Sequence, residues 1–295
     1  MEVIQKIIQS QFGKNAEVIE NVEGGNINSV FSFVIEQNDY IIRFNFDEDA
    51  FKKEVYISNL LTLNQVSFPK ILQTGKEEHL AYGISEKING SVLADFDSKQ
   101  RLKLLPSLIE QITKLNQIPL GNKDGFGFLK SDGNGSEKNW ETFLLKFFNK
   151  NQTGTFWDNW YELFETSFLE QDVFFEIYKR LLKYNKYNAP HRFLVHGDFH
   201  EWNIISDGCN INGIIDAGNF LYGDFVIDFV TIEHIVPNSV FEDYYVQLGI
   251  PIVDFNKRLI GAKYFKGLDS LRFYAKMGWE QSYFELRDKL LALPK

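Results

Sequence analysis

Two aspartates and an asparagine in residues 193–216, FLVHGDFHEWNIISDGCNINGIID, have the spacing most suggestive of chemistry in the chain. Asp198 follows His196 by two positions, Asn203 follows Asp198 by five, and Asp216 closes the stretch. A short apolar strand, 193–195, delivers His196-Gly197-Asp198 into a loop. Ile204-Ile205-Ser206 reads as a strand, Asp207-Gly208 as a turn, and 211–215 as the returning strand of a hairpin. That hairpin brings Asp198, Asn203 and Asp216 to one end of a rigid ribbon. Two carboxylates and an amide oxygen converging there suit Mg²⁺, a hard cation that keeps waters and substrate phosphates as its other ligands. The same segment also contains H-x-D-x-H, formed by His196, Asp198 and His200. On an extended strand these alternate positions could ligate zinc or iron in a metallohydrolase. His79, His191 and His234 show no paired spacing to complete such a site, and it leaves Asn203 and Asp216 without a role.

The elements around this stretch fall into two kinds. Residues 1–12 form a short amphipathic helix, with Val3, Ile4, Ile7 and Ile8 at helical spacing. Strands are expected at 16–23, ending in Gly24-Gly25-Asn26, and at 28–36. A turn at 37–39 leads into a strand at 40–44. A helix over 49–63 is announced by Asp47, Glu48 and Asp49, whose charge favours the positive helix end. Further strands are expected at 70–73 and 81–86, and Ile88-Asn89-Gly90 then interrupts the pattern. On the 49–63 helix, Phe51, Val55, Ser58 and Leu61 line the inward side and Glu54 borders it. A carboxylate beside an apolar stripe needs a partner, and Arg43 on the preceding strand is the best candidate. Beyond Gly90 the patterns are helical: 99–116, 139–149, 158–168, 170–184, 226–235, 240–248 and most of 254–291. A β-rich island at 192–215 interrupts them. Residues 121–135, with five glycines, read as loop. The expected class is α+β: a small antiparallel sheet lobe with one helix over residues 1–88, then a larger, mainly helical lobe over 89–295.

Composition sets bounds on function. The chain of 295 residues carries 31 basic and 40 acidic side chains, a net of −9. A protein that neutralises nucleic-acid phosphates has the opposite bias, so cationic or neutral small partners are favoured over nucleic acid. With one cysteine, Cys209, neither an intrachain disulfide nor a cysteine zinc site is possible. Glu2 and Lys6 interrupt the N-terminal apolar run, unlike a signal peptide, and no stretch reaches 18 uncharged apolar residues. The expectation is a soluble, cytoplasmic protein without a membrane partner.

The pattern H-x-D-x-x-x-x-N, followed by a hairpin ending in Ile-Ile-Asp, resembles the catalytic loop and metal-binding segment of the protein-kinase-like fold. The version here, HGDFHEWN, resembles the aminoglycoside phosphotransferase and choline-kinase-like family. The resemblance implies that Asp198 orients the acceptor hydroxyl and accepts its proton, while Asn203 and Asp216 hold Mg²⁺ against the nucleotide phosphates. Residues 223–228, GDFVID, resemble the family's Gly-Asp-Pro-x-x-Asp stretch, with Phe225 in place of Pro. By the same resemblance, Asp228 buttresses the catalytic loop. Gly24, Gly25 and Ser29 fall where backbone amides approach phosphate. Arg43 stands where protein kinases use lysine, with Glu54 as its partner. Glu86 and Ile88 lie in the linker whose backbone binds the adenine edge.

The activity implied by this resemblance is that of a kinase moving the γ-phosphate of ATP or GTP onto a hydroxyl of an aminoglycoside-type antibiotic. Related acceptors stay open: choline or ethanolamine, homoserine, methylthioribose, or another antibiotic class. Arg43 for lysine, and Ala217-Gly218 after Asp216, would also suit a kinase-like binding module without activity. The aromatic clusters Phe147-Phe148 and Phe156-Trp157 with Trp160-Tyr161 read as helix core, with sugar stacking or an amine cage as the rival. Of the acidic residues Glu233, Glu242, Asp243, Asp269 and Glu280, none is singled out as a ligand.

Overall fold

The computed structural model describes residues 1–22, 29–46, 48–77, 79–250 and 252–295. In chain order the first elements are α1 (Glu2–Phe12), β1 (Val18–Asn21), β2 (Ser29–Ile35), β3 (Asn38–Asn45) and α2 (Glu48–Leu63). Next come β4 (Ile71–Glu77), β5 (Leu80–Glu86), β6 (Ser91–Val92) and α3 (Ser98–Asn116). The middle of the chain forms β7 (Phe126–Leu129), β8 (Gly135–Glu137), α4 (Trp140–Phe147), α5 (Leu163–Thr166) and α6 (Gln171–Asn188). After these lie β9 (Phe193–Val195), β10 (Ile204–Ser206), β11 (Ile211–Ile214) and β12 (Leu221–Gly223). The chain ends in α7 (Val226–Thr231), α8 (Asn238–Gln247), α9 (Phe255–Met277) and α10 (Glu280–Ala292).

These elements make two compact units. One is Met1–Ile118, Leu129–Asn134 and His200–Phe220; the other is Pro119–Phe128, Gly135–Phe199 and Leu221–Lys295. Packing therefore divides the chain at points other than the 88/89 boundary read from sequence. The physical reason lies in the first unit. There β6 pairs with β10, Ser107 Oγ on α3 accepts the Ile211 amide at 2.9 Å, and the Ile214 amide reaches Ser67 O at 2.9 Å.

The first unit holds an antiparallel sheet of order β1-β2-β3-β5-β4. Alternation along β2 and β3 sends Phe33, Ile35, Ile42 and Phe44 to one face, where Ile4, Ile7 and Ile8 of α1 complete a buried core. Arg43, between Ile42 and Phe44, must point to the other face. The β2–β3 turn falls at Glu36-Gln37 rather than 37–39. Both residues have positive φ (50° and 67°), a two-residue hairpin loop, so Asn38 already pairs with Ile35.

The second unit is mainly helical, with α6 and α9 packed together beside a small sheet of order β8-β7-β12-β9. Residues 121–135 are thus not all loop: they contribute β7 and the first residue of β8. Residues 158–168 form a 3₁₀ turn, Trp160–Glu162, leading into α5 rather than one helix. Gly278, with φ 74°, breaks 254–291 into α9 and α10. Among the described residues no helix is long and apolar enough to cross a membrane.

Candidate active site

The first unit assembles one group of predicted residues around Arg43. In the sheet register Arg43 lies opposite Val30 and Gly83. A Cβ on Gly83 would come within 2.6 Å of the Phe51 ring, so glycine there lets α2 lie against the sheet beside Arg43. The buried side of α2 then runs through Phe51, Glu54, Ile57, Ser58 and Leu61, which makes Glu54 fully inward rather than a border residue. Arg43 donates from Nη2 to Glu54 Oε1. Burial pushes the Glu54 carboxyl above its ordinary value of 4.5; Arg43 pulls it back and Asp216 adds to the rise. A carboxyl raised in this way stabilises the fold most at acid pH, and that contribution is lost as pH climbs through the raised value. Arg43→Met removes the compensating cation, so its destabilisation should be small near pH 4.5. It should widen to about 3–5 kcal/mol toward neutral pH, as a buried charge loses its partner. Thermal midpoints of both proteins across pH check this; a difference independent of pH would refute the pairing.

The linker and the hairpin belong to the same unit. Ile88 packs directly on Gly213 of β11, where a Cβ would collide with its side chain, and Asn212 Nδ2 donates to Asn89 O at 2.8 Å. Gly90 (φ 132°) lies against the Ser206 carbonyl and could carry no Cβ there. The 3₁₀ turn Glu201–Asn203 is capped by His200, whose Nδ1 accepts the Trp202 amide at 3.2 Å. The Ile215 amide donates to Asn203 O at 2.9 Å, tying the start of the hairpin to the residue before Asp216. Asp216 adopts a left-handed backbone (φ 72°), which non-glycine residues take up only where the surroundings enforce it. Its Oδ1 accepts the Gly218 amide at 2.8 Å, while Lys53 of α2 donates to Gly218 O at 2.6 Å. One amide and one exposed carboxylate on adjoining backbone are hard oxygen donors of the kind Mg²⁺ takes when phosphates and waters supply the rest.

Ser29 opens β2 opposite Phe44, and Glu86 closes β5 opposite Tyr40. Ser29, Arg43, Glu54, Glu86, Ile88, Asn203 and Asp216 therefore all lie in this one unit. Gly24 and Gly25 lie outside the described residues.

Asp198 belongs to the second unit, at the end of β9 and two residues before the chain enters the first. Backbone contacts fix its loop. Asp228, fully buried, accepts the His196 amide on Oδ2 at 3.0 Å and the Gly197 amide on Oδ1 at 2.8 Å. His196 is fully buried, and its Nδ1 takes the Asp198 amide at 3.2 Å. Among the described residues no group of three His, Cys, Asp or Glu side chains is placed to hold a metal, against the H-x-D-x-H reading.

Behind the loop lies a buried ion pair that sequence reading did not find. Asp224 accepts from Arg258 Nη2 at 2.7 Å and Nε at 2.9 Å, and from Asn188 Nδ2 at 2.9 Å. Phe225, at the position of the family proline, stacks under Arg258 with 4.7 Å from guanidinium to ring centre, and packs on Phe193 and Tyr245. The aromatic cluster is likewise filled from within. Arg272, fully buried, lies 3.9 Å from the Trp157 ring centre, 4.5 Å from Phe147 and 4.9 Å from Phe148. It also donates to Asp269 at 2.9 Å. The cage holds the protein's own cation. Glu233, paired with Lys263 at 2.5 Å, and Asp269 have internal partners too.

The chain as a whole has known relatives. The profile of the family described as the phosphotransferase enzyme family matches residues 18–248, and the chain belongs to that family. Among its relatives is the hygromycin-B 4-O-kinase of Escherichia coli, 22% identical over 222 residues that make up 75% of this chain. The chain spans 63% of that relative's length in the match. A thermostable mutant of aminoglycoside phosphotransferase APH(4)-Ia, in ternary complex with AMP-PNP and hygromycin B, superposes with a TM-score of 0.80 at 20% identity. That match covers 98% of this chain and 97% of the other. Spectinomycin phosphotransferase APH(9)-Ia, in complex with ADP and spectinomycin, matches with a TM-score of 0.63 at 13% identity, over 100% and 94% of the two chains. These likenesses show the fold: α+β and kinase-like, with an antiparallel sheet lobe bearing a helix and a helical lobe, as the motif implied.

Proposed function

We propose that the protein transfers the γ-phosphate of ATP to a hydroxyl of an aminoglycoside of the hygromycin type. The observation that carries this reading is the loop that presents Asp198, its backbone amides clamped by Asp228; the other unit by itself presents Asn203 and Asp216 at the end of a hairpin. The family membership and the hygromycin-directed relative favour this acceptor class, and the net charge of −9 suits a cationic one. The donor side falls to Ser29, Arg43, Glu54, Glu86 and Ile88, together with Gly24 and Gly25. Backbone of the 86–88 linker meets the base and Arg43 meets the phosphates. Asn203 and Asp216 would hold Mg²⁺, which when bound neutralises phosphate charge.

Asp198 accepts the proton of the acceptor hydroxyl. The freed oxygen forms a bond to the γ-phosphorus, and the bond to the bridging oxygen breaks, leaving ADP with the electron pair. Positioning and charge neutralisation supply most of the acceleration. A coupled assay of ADP release with Mg·ATP tests the acceptor across hygromycin B, spectinomycin, other aminoglycosides, choline, homoserine and methylthioribose. Hygromycin B should raise turnover well above hydrolysis by water. Product from choline, homoserine or methylthioribose alone would move the assignment to a metabolite kinase. GTP in place of ATP reads the donor preference in the same assay.

A further inference from the structure

The helix α9 is largely buried, with Ala262, Tyr264, Phe265, Gly267 and Leu268 all inside. Positions 263, 266 and 269, one turn apart, form a polar ridge along it. Lys263 is paired with Glu233, and Asp269 with Arg272. Between them, Lys266 donates from Nζ to the Gly197 carbonyl at 2.7 Å, and the same nitrogen lies 4.0 Å from Asp198 Oδ1. Its side chain is 18% exposed, against 29% for Asp198. Lysine is mostly exposed in folded proteins, and this one is instead partly buried against the predicted catalytic loop.

We infer that Lys266 is a positioning residue for phosphoryl transfer, holding the Gly197 peptide and placing its charge beside Asp198. The inference rests on Asp198 being the group that receives the acceptor proton. Gly197 passes through a left-handed conformation (φ 79°), and its peptide links are gripped on two sides: its amide by Asp228, its carbonyl by Lys266. The charge has a separate use. An ionised Asp198 and an incoming γ-phosphoryl group repel one another, and a cation at this distance offsets that repulsion. A lysine that merely tied α9 to the loop would need its hydrogen bond but not its charge.

Three variants of the full chain separate these roles: Lys266→Met, Lys266→Gln and Lys266→Arg. Each is assayed with Mg·ATP, once with hygromycin B and once for hydrolysis with water as the only acceptor. Met and Gln should both lower kcat by about tenfold or more, with the KM for ATP kept within about threefold. Arg, which keeps the charge, should recover most of the rate. A Gln variant as active as wild type, or an Arg variant as slow as Met, overturns the proposal. If wild type hydrolyses ATP but phosphorylates no aminoglycoside, the acceptor reading fails, and the hydrolysis rates still decide for or against Lys266. A wild-type protein inactive in both assays overturns the phosphotransferase reading and the role of Lys266 with it.

Discussion

Asp198→Asn is expected to slow phosphoryl transfer by roughly 10²–10⁴-fold, the usual contribution of a positioned general base. The affinity for Mg·ATP should stay within about threefold, because the change removes an interaction made as the acceptor reacts. The structure gives a reason for the clean split. The loop is set by backbone contacts: Asp228 holds the amides of His196 and Gly197, and His196 Nδ1 holds the amide of Asp198. Asparagine keeps the size of the side chain and leaves each of these bonds in place, so the loop should not move. The predicted nucleotide contacts lie in the other compact unit, on Arg43, Glu54, the linker and the hairpin end. Single-turnover transfer, with binding of AMP-PNP measured by calorimetry, checks both halves. Loss of nucleotide binding in parallel with activity would show that Asp198 serves the donor and not the acceptor.

What the sequence made legible was local. His196, Asp198, Asn203 and Asp216 sit within one short stretch, and their spacing is read without knowing where the rest of the chain goes. The β10–β11 hairpin was readable for the same reason, since its turn and both strands are contiguous. The Arg43–Glu54 pair crosses only a strand and a helix, and the 3.6-residue period of α2 already set Glu54 at the border of the inward side, within reach of Arg43. Contacts closing over long loops were not visible. Strand β12 has three residues, and only its pairing with β7 and β9 makes it a strand. The Arg272 that fills the aromatic cluster lies 125 positions beyond the Phe147 carbonyl to which it donates. Nothing in either segment announces the other. The left-handed backbone of Asp216 is also a tertiary effect: local preference opposes it, and the Asn203–Ile215 bond with the Gly218 turn maintains it. Lys266 belongs to this class, as one lysine in a long helix until α9 is laid against the loop.

A large loss of stability is expected from Arg258→Met, in the same second unit as Asp198. Arg258 and Asp224 are both fully buried, and two hydrogen bonds at 2.7 and 2.9 Å join them. Removing the guanidinium strands a carboxylate in the interior, with Asn188 Nδ2 at 2.9 Å and the Val226 amide at 3.3 Å as its remaining donors. A buried charge left without its partner costs about 3–5 kcal/mol. At roughly 2–4 °C per kcal/mol for a unit of this size, the thermal midpoint should fall by about 10 °C. The stack on Phe225 is lost as well, though methionine fills part of its volume. Adding Asp224→Asn removes the stranded charge, so the double variant should be more stable than Arg258→Met alone. If the double variant is the less stable, the carboxylate gains more from Asn188 and the Val226 amide than its unpaired charge costs, and the stranded-charge account fails. The effect should reach activity through four residues of chain. Asp224 opens the turn into α7, and α7 carries Asp228, whose carboxylate holds the loop of Asp198. Arg258→Met should therefore lose transfer activity on heating before it loses helical circular dichroism, while Asp198→Asn, with the Arg258–Asp224 pair intact, should unfold near the wild-type temperature.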